Sequence, residues 1–276
     1  MARLPLLCAG VGAVALAALL IGTHAPSHRA HAQAAPVAPA CVAPAEVARF
    51  THRLPRLAER VAQRVPITIV AVGSSSTAGV GASSPMTNYP ARLEALLRER
   101  TPGVGMINVL NRGVGGEEIR DMLARFERDV IAEKPDLVLW QLGTNSVLHD
   151  HEINGNGALL AGELAVLKGT GADVVLINPQ YAPKVLAHPA MDTMLDLISA
   201  TAKAANVEMF DRFALMKYWR ETRDLPFETF LSPDLLHMND WSYDCLARLL
   251  ANAIADAAIR VPLTAGMPAM PVTARR

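Results

Sequence analysis

The stretch ITIVAVGSSSTAG, Ile67–Gly79, runs from a β-branched apolar segment straight into a turn with three consecutive serines. An apolar run that ends in glycine without polar alternation reads as a strand buried on both faces, the pattern of a parallel sheet. Four further segments repeat it: MINVLNRG (Met106–Gly113), DLVLWQLG (Asp136–Gly143), ADVVLINP (Ala172–Pro179) and VEMFD (Val207–Asp211). Between them YPARLEALLRER, GEEIRDMLARFERDVIAE, NGALLAGELAVLKGT and MDTMLDLISATAKAA carry apolar residues near helical spacing. NDWSYDCLARLLANAIADAAI closes the series as a final helix, with Asn239 or Asp240 as its N-cap. This alternation predicts an α/β fold, a three-layer α/β/α sandwich around a five-stranded parallel sheet. Ligands of such sheets bind beyond the carboxyl ends of the strands, where this chain carries GSSST, NRGVGGE, GTNS and NPQYAP.

The 276 residues, 51% hydrophobic and 19% charged, suffice for one domain with a sizeable core. Lys+Arg and Asp+Glu both number 26, so no net field recruits nucleic acid. Residues 1–32 read as a secretory signal peptide: Arg3 precedes an apolar run from Leu4 to Gly22, and Ala30-His31-Ala32 is a small-x-small cleavage site. An uncleaved anchor is the alternative, and both place the folded part outside the cytoplasm, periplasmic or secreted; the cleaved form would have no membrane span. Residues 33–44 form an Ala/Pro-rich linker, 45–261 the folded domain, and 262–276 an extended tail. With Cys8 in the leader, Cys41 and Cys245 remain in an oxidising compartment, as a disulfide or as two separate thiols.

A serine on a tight strand-to-helix turn is held exposed beside backbone N–H groups, which suits a nucleophile. It needs a base, and the base an orienter. His237 lies in SPDLLHMND, after the last strand and before the last helix, and Asp234 precedes it by one helical turn. That spacing lets the carboxylate curl back onto the imidazole and hold its tautomer.

Taken together, these features resemble the SGNH, or GDSL-type, hydrolase family. Gly73-Ser74-Ser75-Ser76-Thr77 matches its first block and makes Ser75 the aligned nucleophile. Asn111-Arg112-Gly113 matches the second, which implies Gly113 N–H as an oxyanion donor. Gly143-Thr144-Asn145 matches the third, which implies the Asn145 amide and the Ser75 N–H as companions. Asp234-Leu235-Leu236-His237 matches the last. The blocks occur in order over Ile67 to Ile259. Ser74 departs from the usual Asp of the first block, and Ser146 from the Asp that often follows the third-block Asn.

The resemblance implies a Ser75–His237–Asp234 esterase working through an acyl-enzyme, acting on short acyl esters, acetyl above all, of carbohydrates or other small hydroxylated substrates. An O-acyltransferase and a silent carbohydrate-binding module are the alternatives on this fold. The cluster HDHE, His149 to Glu152, contains metal-ligand residue types, but in a Gly/Asn-rich loop it reads as solvated, with His149 a substrate contact. Tyr181, after the fourth strand, is expected to line the acyl or sugar pocket. GVGAS and GVGGEE complete no dinucleotide or phosphate-loop motif, so neither cofactor nor metal is expected.

Overall fold

The computed structural model describes residues 38–149, 153 and 155–259. The leader, the tail beyond 259 and Asp150, His151 and Glu152 of the HDHE cluster lie outside the described residues.

All five runs form strands: β1 (Ile67–Gly73), β2 (Ile107–Gly113), β3 (Leu137–Gln141), β4 (Asp173–Ile177) and β5 (Glu208–Phe210). They make one parallel sheet in the order β2-β1-β3-β4-β5, with Gly73 opposite Gly113 and Val72 opposite Trp140. Every residue of β3 and β4 is buried, as a two-sided covering requires.

The helices are α1 (Pro55–Gln63), α2 (Ser75–Ala78), α3 (Tyr89–Arg100), α4 (Ile119–Leu123), α5 (Phe126–Asp129), α6 (Thr144–Leu148), α7 (Asn156–Gly169), α8 (Pro183–Leu186), α9 (Met191–Ala205), α10 (Arg212–Lys217), α11 (Phe227–Phe230) and α12 (Asp240–Ile259). α1, α3 and α12 pack together on one face, while α4, α7 and α9 cover the other. Asn239 caps α12, its Oδ1 accepting from Ser242 N–H at 3.2 Å. GEEIRDMLARFERDVIAE does not form the single helix its periodicity predicts. It breaks between Leu123 and Phe126, where Arg125 turns its side chain inward and is only 8% exposed.

The Ala/Pro-rich segment, where it is described, is fastened to the domain and is not a free linker. Cys41 and Cys245 are joined by a disulfide, with Cα atoms 5.4 Å apart. Trp241 and Trp219 donate their indole N–H groups to Pro39 O and Val42 O, both at 3.0 Å. Among the described residues no helix is long and apolar enough to cross a membrane.

The strand order reverses between β1 and β3, since the chain leaves β1 for β2 on one side and returns to β3 on the other. Loops diverge at such a switch point and open a crevice beyond the strand ends.

Candidate active site

Gly73 ends β1 and α2 begins two residues later, so Ser75 stands at the first turn of a one-turn helix. Ser74 and Ser76 are both 2% exposed, and of the three serines only Ser75 is partly open to solvent. Buried Gln141, the last residue of β3, anchors the turn: its Oε1 accepts from Ser74 N–H at 3.0 Å, Ser74 Oγ at 3.2 Å and Thr77 Oγ1 at 3.2 Å. Asn111 Nδ2 holds the far side by donating to Thr77 O at 2.8 Å.

The last block arrives on a short excursion closed by an antiparallel bridge between Leu231 and Met238 and by Ser232 N–H donating to His237 O at 2.8 Å. Inside it Asp234 Oδ1 accepts from Ser232 Oγ at 2.7 Å and from the N–H groups of Leu236 and His237 at 3.0 Å. Leu235 takes up a left-handed conformation with φ 55° to let the chain turn this tightly. Asp234 Oδ2 pairs with His237 Nδ1 at 2.5 Å, and His237 Nε2 lies 2.8 Å from Ser75 Oγ. The structure therefore joins Ser75, His237 and Asp234 in one hydrogen-bonded chain. Burial pushes the Asp234 carboxyl up, but the hydrogen bonds from His237, Ser232 and Leu236 outweigh it and hold the group well below the usual carboxylate range. Asp234 thus stays ionised opposite the imidazole.

Asn145 enters from α6, beyond β3, and is 8% exposed. Its Nδ2 donates to Glu117 O at 2.8 Å, which fixes the amide and leaves its second N–H. Gly113 does not fill the expected role. Its single N–H donates to Asn111 Oδ1 at 2.9 Å, and what demands glycine here is packing: a Cβ would lie 2.1 Å from Ala78 N in the nucleophile turn. Just past β2, the N–H groups of Gly115, Gly116 and Glu117 have no partner among the described residues, and a Cβ on Gly115 would stand 3.9 Å from Ser75 Cβ. These two glycines are what the motif reading missed; the signal was Gly-Gly directly past the carboxyl end of a strand, in the GVGGEE set aside for lacking a phosphate-loop pattern.

His149 follows α6, its N–H donating to Asn145 O and its Nδ1 pairing with Glu118 at 2.9 Å, so it stands at the rim on the Asn145 side. Tyr181 is not available to a ligand. Its ring packs against Phe213 and Phe227, its hydroxyl donates to Glu221 at 2.8 Å, and burial pushes that hydroxyl up to about 12. A loop tyrosine and a packed tyrosine look alike in sequence until the partners Phe213 and Glu221 are in place. Among the described residues no cluster of His, Cys, Asp and Glu is arranged to hold a metal ion.

A family model described as the non-GDSL lipase-like family matches residues 40–260. The chain belongs to that family. Membership of the non-GDSL branch agrees with Ser74 standing where the GDSL pattern has Asp. An acetylxylan esterase of Geobacillus stearothermophilus is 42% identical over 67 residues, a match spanning 24% of this chain and 30% of that relative's length. The crystal structure of Axe2, an acetylxylan esterase from the same organism, superposes with a TM-score of 0.58 at 25% identity, covering 70% of this chain and 96% of that one. A two-domain esterase (CEX) active on acetylated mannans shares the fold with a TM-score of 0.66 at 18% identity, over 81% of this chain and 59% of its own. The fold is thus that of the SGNH-type esterases.

Proposed function

We propose that this member of the non-GDSL lipase-like family is a serine esterase that removes acetyl groups from hydroxylated substrates of the carbohydrate class. The observation that carries the reading is the 2.8 Å contact between Ser75 Oγ and His237 Nε2, backed by Asp234, at the carboxyl end of the sheet. Ser75 Oγ attacks the ester carbonyl as its proton passes to His237 Nε2, and ionised Asp234 stabilises the imidazolium. The oxyanion gathers among the Ser75 N–H, the free N–H of Asn145 Nδ2 and an N–H of Gly115 or Gly116. His237 returns the proton to the leaving alcohol, and a water activated by the same imidazole releases the acetyl group. The acetyl and carbohydrate assignments draw on the acetylxylan and acetylmannan esterases that share sequence or fold with the chain. His149 is assigned to the sugar side of the rim. The reading includes a leader ending near residue 32 and export to an oxidising compartment; the Cys41–Cys245 bond supports the oxidising compartment.

Fluorophosphonate labelling of Ser75, combined with acetate release from p-nitrophenyl acetate and acetylated xylo- and manno-oligosaccharides, tests the proposal. Ser75→Ala and His237→Ala should each lower kcat by roughly 10^4 and the double variant scarcely more, because the two act as one unit. Wild-type protein that neither labels nor releases acetate would overturn the assignment and favour a silent binding module. Acetyl transfer to an added sugar in preference to water would make it an acyltransferase.

A further inference from the structure

Arg125 sits at the break between α4 and α5, and its guanidinium reaches back toward the site. Its Nη2 donates to Arg112 O at 2.9 Å and to Gly73 O at 3.4 Å. Nε and Nη2 together grip the Glu117 carboxylate at 2.6–2.9 Å, and Nη1 donates to Asp129 at 3.0 Å. These partners lie on separate segments. Gly73 O ends β1 just ahead of Ser74-Ser75. Arg112 O lies one residue before the end of β2, just ahead of the segment that leads to Gly115 and Gly116. Glu117 accepts from Asn145 Nδ2 through its own carbonyl at 2.8 Å. One planar cation is thus fastened to the segments that carry Ser75 and Gly115–Gly116 and, through Glu117, linked to the Asn145 amide.

A purely stabilising ion pair accounts poorly for this arrangement. Buried pairs are often replaceable by apolar residues at little cost, and nothing about stability requires the fork to engage two strand-end carbonyls as well as a carboxylate. Positioning does require it, because oxyanion donors act only when held within about half an ångström of their working place. Arginine is the side chain with enough donors in one rigid plane; a lysine ammonium can carry the charge but cannot span the carbonyls and the carboxylate together. The carboxylates of Glu117 and Asp129 neutralise the cation, so its contribution is geometric.

We propose that Arg125 is the positioning residue of the oxyanion site, holding the β1 and β2 ends and, through Glu117, the Asn145 amide in register. The inference rests on the serine-esterase reading above. It is tested with Arg125→Ala and Arg125→Lys in the full chain with its disulfide, every rate expressed per fluorophosphonate-titrated serine. The expected result is a kcat lowered about 10^2-fold in Arg125→Ala and about 10-fold in Arg125→Lys, with KM within about threefold of wild type. The fluorophosphonylation rate should fall in parallel, since that step develops charge in the same place. Methylguanidinium, added at tens of millimolar, should restore part of kcat to Arg125→Ala and none to Arg125→Lys. Arg128→Gln, which removes an exposed partner of Asp129, should keep wild-type kcat. Should Arg125→Ala fail to fold, Arg125→Lys decides. A normal kcat per titrated serine, with only the number of active molecules reduced, overturns the inference and leaves Arg125 a stabilising residue. A wild-type protein whose serine does not label fails the esterase reading instead, and the two failures are distinguishable.

Discussion

Gln141→Leu removes the acceptor that holds the nucleophile turn while nearly conserving volume. In the native protein Gln141 is 1% exposed and its Oε1 takes three hydrogen bonds, from Ser74 N–H, Ser74 Oγ and Thr77 Oγ1. Thr77 keeps a second partner, the Tyr89 hydroxyl at 3.2 Å, so the substitution strands the two donors of Ser74, itself 2% exposed. Each stranded buried donor costs about 1–3 kcal/mol. The native side chain already carries one such defect, because Gln141 Nε2 has no partner, and leucine relieves it. The net loss is therefore about 1–3 kcal/mol, or roughly 3–10 °C in Tm for a domain of this size. Activity should suffer more than stability, since Ser74 is covalently joined to Ser75 and a turn displaced by about 1 Å costs on the order of 10^2 in rate. Thermal and urea unfolding with the disulfide intact, alongside kcat well below the transition, measure both. A Gln141→Leu protein with unchanged Tm and unchanged kcat would refute the reasoning and show that the turn holds itself.

Gly113→Ala places a Cβ 2.1 Å from Ala78 N and should abolish labelling of Ser75, whereas Gly115→Ala, at 3.9 Å from Ser75 Cβ, should fold normally and lower kcat/KM for p-nitrophenyl butyrate about 10-fold more than for the acetate. Burial pushes the Asp173 carboxyl up to about 6 against the hydrogen bonds it accepts from Leu57 and Arg56 N–H. A folded-state value above the unfolded one gives stability that is fully present below about pH 4 and lost as pH rises through about 6. Asp173→Asn should thus gain on wild type by up to about 3 kcal/mol between pH 4 and pH 7 in urea unfolding. Replacing Cys41 and Cys245 by serine opens a loop with a sequence separation of 204 and should cost up to about 5 kcal/mol, with altered fluorescence from Trp219 and Trp241 as the strap at Pro39 and Val42 loosens.

The strands were legible because a strand covered on both faces must be apolar at every position, and Leu137–Gln141 and Asp173–Ile177 nearly are. Tyr89–Arg100 and Met191–Ala205 were legible for the matching reason in helices. What periodicity could not show is a side chain that leaves its helix for a tertiary partner. Arg125 looks like an ordinary surface position of GEEIRDMLARFERDVIAE until the carbonyls of Gly73 and Arg112 stand beside it, and the helix breaks there to let it turn. The pairing of Asp234 with His237 was legible in local spacing, and Ser75 was singled out by the family resemblance; the structure joins the three in one hydrogen-bonded chain. The occupation of the Gly113 N–H was not legible, because it depends on the Asn111 side chain having already taken it.

Ser75 follows the first strand, and His237, which lies 162 residues later, precedes the last helix. At 5–20 residues per second, a ribosome spends roughly 10–30 s between making the one and making the other. Throughout that interval the proposed nucleophile Ser75 has no His237 beside it, and it stays so until the excursion between Leu231 and Met238 has closed on the sheet. On the proposed mechanism, turnover therefore reports on completion of the whole domain: a chain halted anywhere before α12 can form the Ser75 turn and still hydrolyse nothing.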